Sequence, residues 1–189
     1  VDEITEADFS DVSSSDWFYD AVNYVFSKGI MVGVTENSFA PNSSLTRAMI
    51  VQMLYSLEGS PEVTGTAPFT DVAIGQWYTN AITWAASNNI VSGMGDGTFA
   101  PNNNITREQL AMILYNYAQL KGNAVTALGN LAAFTDGNEV SDWAETAVRW
   151  AVGEGLMSGR GNGVLDPTET TTRAEAASMF MRFMESDLA

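Results

Sequence analysis

Gly93-Met94-Gly95-Asp96-Gly97-Thr98-Phe99-Ala100-Pro101-Asn102-Asn103-Asn104-Ile105-Thr106-Arg107 is the stretch from which the fold of this chain can be read. It passes from a glycine loop through a proline turn into a Thr-Arg pair. Glu108, Gln109 and the apolar residues Leu110, Ile113, Leu114 and Tyr117 follow. Apolar residues three and four apart predict a helix that buries one face. Thr106, with Gln109 three residues later, is a capping box that fixes where the helix begins. The same order recurs as Gly33, Pro41 and Thr46-Arg47, and again as Gly159, Pro167 and Thr172-Arg173. The stretch is therefore one copy of a repeat.

Working outward, each copy opens on a Phe-x-Asp motif: Phe9-Ser10-Asp11, Phe69-Thr70-Asp71 and Phe134-Thr135-Asp136. Trp17, Trp77 and Trp143 follow, then Ala21, Ala81 and Ala147. The offset is 60 residues between the first two copies and mostly 66 between the last two. Trp17, Ala21, Tyr24 and Val25 stand at helical spacing, as do their counterparts, so each copy reads as helix, turn-rich loop, helix. This places the tryptophans on the buried stripe. The first helix ends at Gly29, Asn89 or Gly155, residue types that accept a left-handed backbone. The second helix buries Ile50, Met53, Leu54 and Leu57, then Leu110, Ile113, Leu114 and Tyr117, then Ala176, Met179, Phe180 and Phe183.

A unit of roughly 60 residues buries a small core and is marginal alone. Mutual burial is therefore expected, with three equivalent helices about a shared axis. The units are expected at residues 1–60, 61–124 and 125–189, forming one cooperative body. Residues 59–68 and 121–133 are rich in small and turn-forming types and read as links between repeats.

Composition narrows the function. With 23 acidic and 8 basic residues the formal charge is −15. That excludes a cationic footprint for nucleic acid and adsorption to anionic lipid. No apolar run is long enough to insert in a membrane. Nor does the chain open at Val1 on a basic and then apolar leader, so an export address is expected outside it. Cysteine and histidine are absent, which removes thiolate chemistry, the usual general base and the commonest transition-metal ligand. The acids recur with the fold instead of forming one unique pair, as a glycosidase would need. No enzyme, cofactor or metal site is expected.

The Thr-Arg pair carries the functional signal. Capping explains Thr106, Gln109, Thr172 and Glu175, though not Met49 at the third position of the first copy. It does not explain Arg47, Arg107 and Arg173, because a cation in the first turn opposes the helix dipole. A helix N-terminus also offers unpaired N–H groups to an anion, and arginine adds a planar fork matched to a carboxylate. The competing reading is an ion pair with Asp11, Asp71 or Asp136.

Taken together, Phe-x-Asp-Val, Trp, Gly-x-Gly-x-Phe-x-Pro-Asn and Thr-Arg-Ala-Glu resemble the S-layer homology (SLH) family, three times over nearly the whole chain. The resemblance implies a mainly α fold: a pseudo-threefold spindle of helix–loop–helix repeats around a central three-helix bundle. It implies non-catalytic anchoring of a secreted protein to the bacterial cell surface, through a secondary cell-wall polysaccharide ending in pyruvylated N-acetylmannosamine. Ligand-binding residues carried over by position are Arg47, Arg107, Arg173, Asp11, Asp71, Asp136, Gly33, Gly93, Gly159, Trp17, Trp77 and Trp143. The sequence departs from the pattern at Met49, Thr35, Asn37 and Gly137. A protein–protein module assembling with neighbouring S-layer subunits is the rival reading. Because Met49, Thr35 and Asn37 all fall in the first copy, the groove that uses Arg47 is expected to bind weakest.

Overall fold

The structure, a computed structural model, describes residues 8–186. Six helices alternate with loops: α1 (Tyr19–Ser27), α2 (Arg47–Leu57), α3 (Thr79–Ser87), α4 (Arg107–Leu120), α5 (Glu145–Gly153) and α6 (Arg173–Glu185). Among the described residues there is no strand, only isolated bridges such as Ser44 with Thr172, Thr46 with Asn104 and Thr106 with Thr170. Each repeat supplies two helices, as its two apolar stripes require.

The second helix of one repeat packs on the first helix of the next: α2 on α3, α4 on α5 and α6 on α1. That order closes a circle. The closure is written in backbone hydrogen bonds just before the Thr-Arg helices. Ile105 N–H donates to the Leu45 carbonyl at 2.9 Å, Thr171 N–H to the Ile105 carbonyl at 2.9 Å, and Leu45 N–H to the Thr171 carbonyl at 3.4 Å. At the far end Tyr117 of α4 packs against Phe183 of α6, with ring centroids 5.8 Å apart. Its hydroxyl donates to Glu58, which follows α2. All three Thr-Arg helices therefore meet at Tyr117.

Stripes on the second helices behave as their spacing demands. Leu110, Ile113, Leu114 and Tyr117 are buried, as are Ala176, Met179, Phe180 and Phe183. In α2, Ile50, Val51 and Leu54 are buried while Met53 and Leu57 are partly so. The first helices correct the sequence reading. They begin two residues after each tryptophan, and Ala21, Val22 and Val25 (with Ala81, Ile82, Ala85 and Ala147, Val148, Ala151) form the buried face. The tryptophans precede the helix, so helical spacing does not govern where they point. The expected helix ends hold, since Gly29, Asn89 and Gly155 all adopt positive φ. Val63, Ala67, Val125, Ala127 and Leu131 of the connectors pack against the core, so these links are bound to the body.

Candidate ligand grooves

Arg47, Arg107 and Arg173 open α2, α4 and α6 and are 5%, 3% and 8% exposed. Each reaches across to the next repeat around the circle. Nε of Arg47 donates to the Phe99 carbonyl at 2.8 Å, that of Arg107 to Leu165 at 2.9 Å, and that of Arg173 to Phe39 at 2.6 Å. Two of them also sit over aromatic rings, Arg47 4.6 Å from the centre of Phe99 and Arg173 4.5 Å from that of Phe39. Leu165 provides no ring to Arg107, which instead pairs with Glu175 at 3.0 Å. Burial pulls the basicity of all three below the usual value. Nearby acids oppose it: Asp71 for Arg47, Asp11 for Arg173 and Glu175 for Arg107.

The helix N-termini do not offer free N–H groups. Arg47 and Ala48 N–H donate to the carbonyls of Asn103 and Pro101, Arg107 and Glu108 N–H to Glu169 and Pro167, and Arg173 and Ala174 N–H to Ser43 and Pro41. The third donor of each helix goes to Thr46, Thr106 or Thr172 Oγ1. The proline turn of the neighbouring repeat thus plugs the helix end, and only the arginine side chain remains to meet an anion. Satisfied buried donors are the rule. Sequence reading could not see it because the acceptors lie in another repeat.

Asp11, Asp71 and Asp136 do not touch these arginines within ion-pair distance among the described residues. Each clamps the loop of its own repeat. Phe39 and Ala40 N–H donate to Asp11 at 2.8 Å each, Phe99 and Ala100 to Asp71 at 2.8 and 2.7 Å, and Leu165 and Asp166 to Asp136 at 2.8 and 2.7 Å. The clamp holds Ala40, Ala100 and Asp166 at positive φ, a conformation costly for residues with a Cβ. Burial works against the charge of Asp11, yet the Phe39 amide, the Ser38 hydroxyl and the Ala40 amide outweigh it. Its carboxyl stays below the usual range.

The glycines serve close approach. A Cβ on Gly33 would stand 2.7 Å from the Phe9 ring, on Gly93 2.6 Å from Phe69, and on Gly159 3.1 Å from Phe134. The Phe of each Phe-x-Asp motif therefore packs directly under its loop, and Gly93 and Gly159 present backbone to the grooves above.

Trp17, Trp77 and Trp143 are 67%, 56% and 53% exposed, so their expected place in the core is wrong. Trp17 and Trp143 stand at the edges of described grooves. One groove of about 440 Å³ joins Arg47 of the first repeat, Gly93 to Gly95 and Gln109 of the second, and Trp143 of the third. Another, of about 480 Å³, joins Trp17 of the first repeat, Arg107 of the second, and Gly159 to Gly161, Arg160 and Glu175 of the third. Every groove described is shared by three repeats. This relocates the departures of the first copy. Arg47 faces the glycines of the second repeat, whereas Met49 and the loop carrying Thr35 and Asn37 lie in the repeat that receives Arg173. Thr35 and Asn37 do not take positive φ, in contrast to Gly95 and Gly97.

Comparison with known proteins matches this chain to the S-layer homology domain at residues 8–48, 68–111 and 133–177. It is 33% identical to an amylopullulanase of Thermoanaerobacterium thermosulfurigenes over 94% of this chain and 9% of that protein. It is 30% identical to the surface-layer 125 kDa protein of Lysinibacillus sphaericus over 95% of this chain and 15% of that protein. With the S-layer protein sap of Bacillus anthracis the identity is 29%, over 92% of this chain and 21% of that protein. The chain therefore spans less than a quarter of the length of each of these relatives.

Proposed function

The chain belongs to the S-layer homology family and is a surface-anchoring module of a secreted bacterial protein; from that premise we propose that it anchors by binding a pyruvylated secondary cell-wall polysaccharide. One observation carries the reading. A buried arginine lines a groove beside an exposed tryptophan, over a floor of glycine backbone. Arginine supplies the planar fork for a carboxylate, tryptophan a face on which a sugar ring stacks, and glycine the room for a pyranose to approach. We read the closed order of helix contacts as a pseudo-threefold spindle about a bundle of α2, α4 and α6. The residues at the ligand-facing positions of the three repeats are Arg47, Arg107 and Arg173, with Trp17, Trp77, Trp143 and the backbone of Gly33, Gly93 and Gly159; which of these positions is open to an anion is a separate matter. Asp11, Asp71 and Asp136 act behind them by setting the loops. The module itself does no chemistry on the polymer, and the activity of any cargo resides elsewhere in the protein.

The test is retention on purified wall sacculi from a strain able to add the pyruvyl ketal and from one that is not. The protein should sediment with the first and stay in solution with the second. Equal retention on both overturns the carboxylate reading. Retention lost on adding a chelator points instead to cation-bridged association.

A further inference from the structure

The three motif arginines differ at one atom. Nη2 of Arg107 donates to the Ser158 carbonyl at 2.5 Å, and Nη2 of Arg173 to the Val32 carbonyl at 2.6 Å. The corresponding carbonyl for Arg47 belongs to Ser92, and among the described residues Arg47 makes no such bond; only its Nε is engaged, on Phe99. The loop explains the difference. Gly93 has φ +78°, whereas Gly33 and Gly159 are not in the positive region. That difference falls at the peptide beside the Ser92 carbonyl, the one that Arg47 does not engage. Arg47 is 5% exposed, its two terminal nitrogens have no hydrogen-bond partner among the described residues, and it lines the groove.

In the Arg107 groove the anion position is filled from within. Glu175 accepts from Nη1 of Arg107 at 3.0 Å and from Nε and Nη2 of Arg160 at 2.6 and 2.8 Å. The same helix position in the Arg47 groove is Gln109, a neutral amide whose Oε1 accepts from the Thr106 N–H at the cap. Trp143, at the lip of that groove, follows a segment fixed by Glu108, which accepts from Ser141 N–H at 3.0 Å and Oγ at 2.9 Å. Ala48 and Ala174 stand at the matching positions of α2 and α6.

We infer that the grooves are unequal: the Arg47 groove is the seat for the ligand carboxylate, while Glu175 occupies the equivalent seat beside Arg107 and keeps that groove from taking one. This rests on the carboxylate-sugar reading above and reverses the ranking expected from sequence.

The experiment titrates the methyl glycoside of pyruvate-ketal N-acetylmannosamine into the whole chain, by calorimetry and by NMR of the guanidinium nitrogens. Arg47 resonances should move while those of Arg107 and Arg160 stay. Arg47→Lys should weaken binding by about tenfold or more, because a point charge replaces the fork. Glu175→Gln keeps the cap, as Gln109 does in α4, and should add a second site, seen as a rise in stoichiometry with new shifts at Arg107. Arg107 responding as strongly as Arg47 in the unmodified chain, or no new site in Glu175→Gln, overturns the inference. If the sugar binds neither protein, the carboxylate-sugar reading falls. The inference is then judged with sodium pyruvate alone, where a response at Arg107 equal to that at Arg47, or at neither, sinks it.

Discussion

At Arg107 every guanidinium nitrogen has a protein acceptor: the carbonyls of Leu165 and Ser158 and the carboxylate of Glu175. Arg107→Ala strands the two carbonyls and takes one cation from Glu175, which keeps Arg160, so it should cost about 2 kcal/mol of unfolding free energy. Arg47→Ala strands one carbonyl and should cost about 1 kcal/mol. Urea unfolding of the two variants measures the difference; equal losses would mean that neither the Ser158 bond nor the Glu175 pair contributes. Glu175 also sets a pH dependence. Burial raises its pKa, but the hydrogen bonds from Arg160 and the Thr172 amide and the charge of Arg107 prevail, so the folded value lies below 4.5. A carboxyl depressed on folding contributes stability that is fully present above its unfolded value and is lost as pH falls through the folded one. As pH falls below 4.5, Glu175→Gln should therefore flatten the loss of stability. An acid limb of unchanged slope would show that other carboxylates govern it.

The three Thr-Arg helices are a graded series at the scale of the element. Thr106 with Gln109 and Thr172 with Glu175 complete capping boxes, while α2 has only the Thr46 half because Met49 cannot reach back. Met49→Gln should complete the third box and raise stability by about 0.5 kcal/mol. Thr106→Ala should lower it by about 1 kcal/mol. Both are read from denaturant midpoints at constant slope. The gain is small because the box adds a single hydrogen bond, from the Thr46 N–H to the new side chain, as Thr106 N–H donates to Gln109.

For the whole molecule, the ring of Leu45, Ile105 and Thr171 means that no repeat owns its own closure. We propose that residues 1–60, 61–124 and 125–189 fold as one unit. Calorimetric and van't Hoff enthalpies should agree, and residues 1–124 alone should fail to fold. Two resolved transitions, or a folded two-repeat fragment, would contradict this. Thr171 is the weak member of the ring. It is fully buried where Leu45 and Ile105 stand in the other repeats, and its hydroxyl has no partner. Thr171→Val keeps the shape, removes the orphan and should raise stability by about 1 kcal/mol, visible as a higher melting temperature.

The sequence by itself determined the repeat, the two helices in each copy, the buried faces of α4 and α6, the left-handed ends at Gly29, Asn89 and Gly155, and the caps at Thr106 and Thr172. All of these depend on residues within a few positions of one another, so the local pattern is sufficient cause. It also marked Arg47, Arg107 and Arg173 as unexplained by capping. Tertiary structure alone decided what surrounds them. The carbonyls that plug the helix ends come from the next repeat, the tryptophan at each described groove comes from the one after that, and the aspartates turn inward to their own loops. The exposure of Trp17, Trp77 and Trp143 was hidden for a related reason. Spacing predicts direction only once a helix has begun, and each of these residues stands two positions before its helix. The ranking we infer for the grooves was the least legible, because Arg47 and the Phe99 carbonyl it meets are 52 residues apart and come together only when neighbouring repeats dock. Loop closure over such distances is bought by the shared core, not by any local preference.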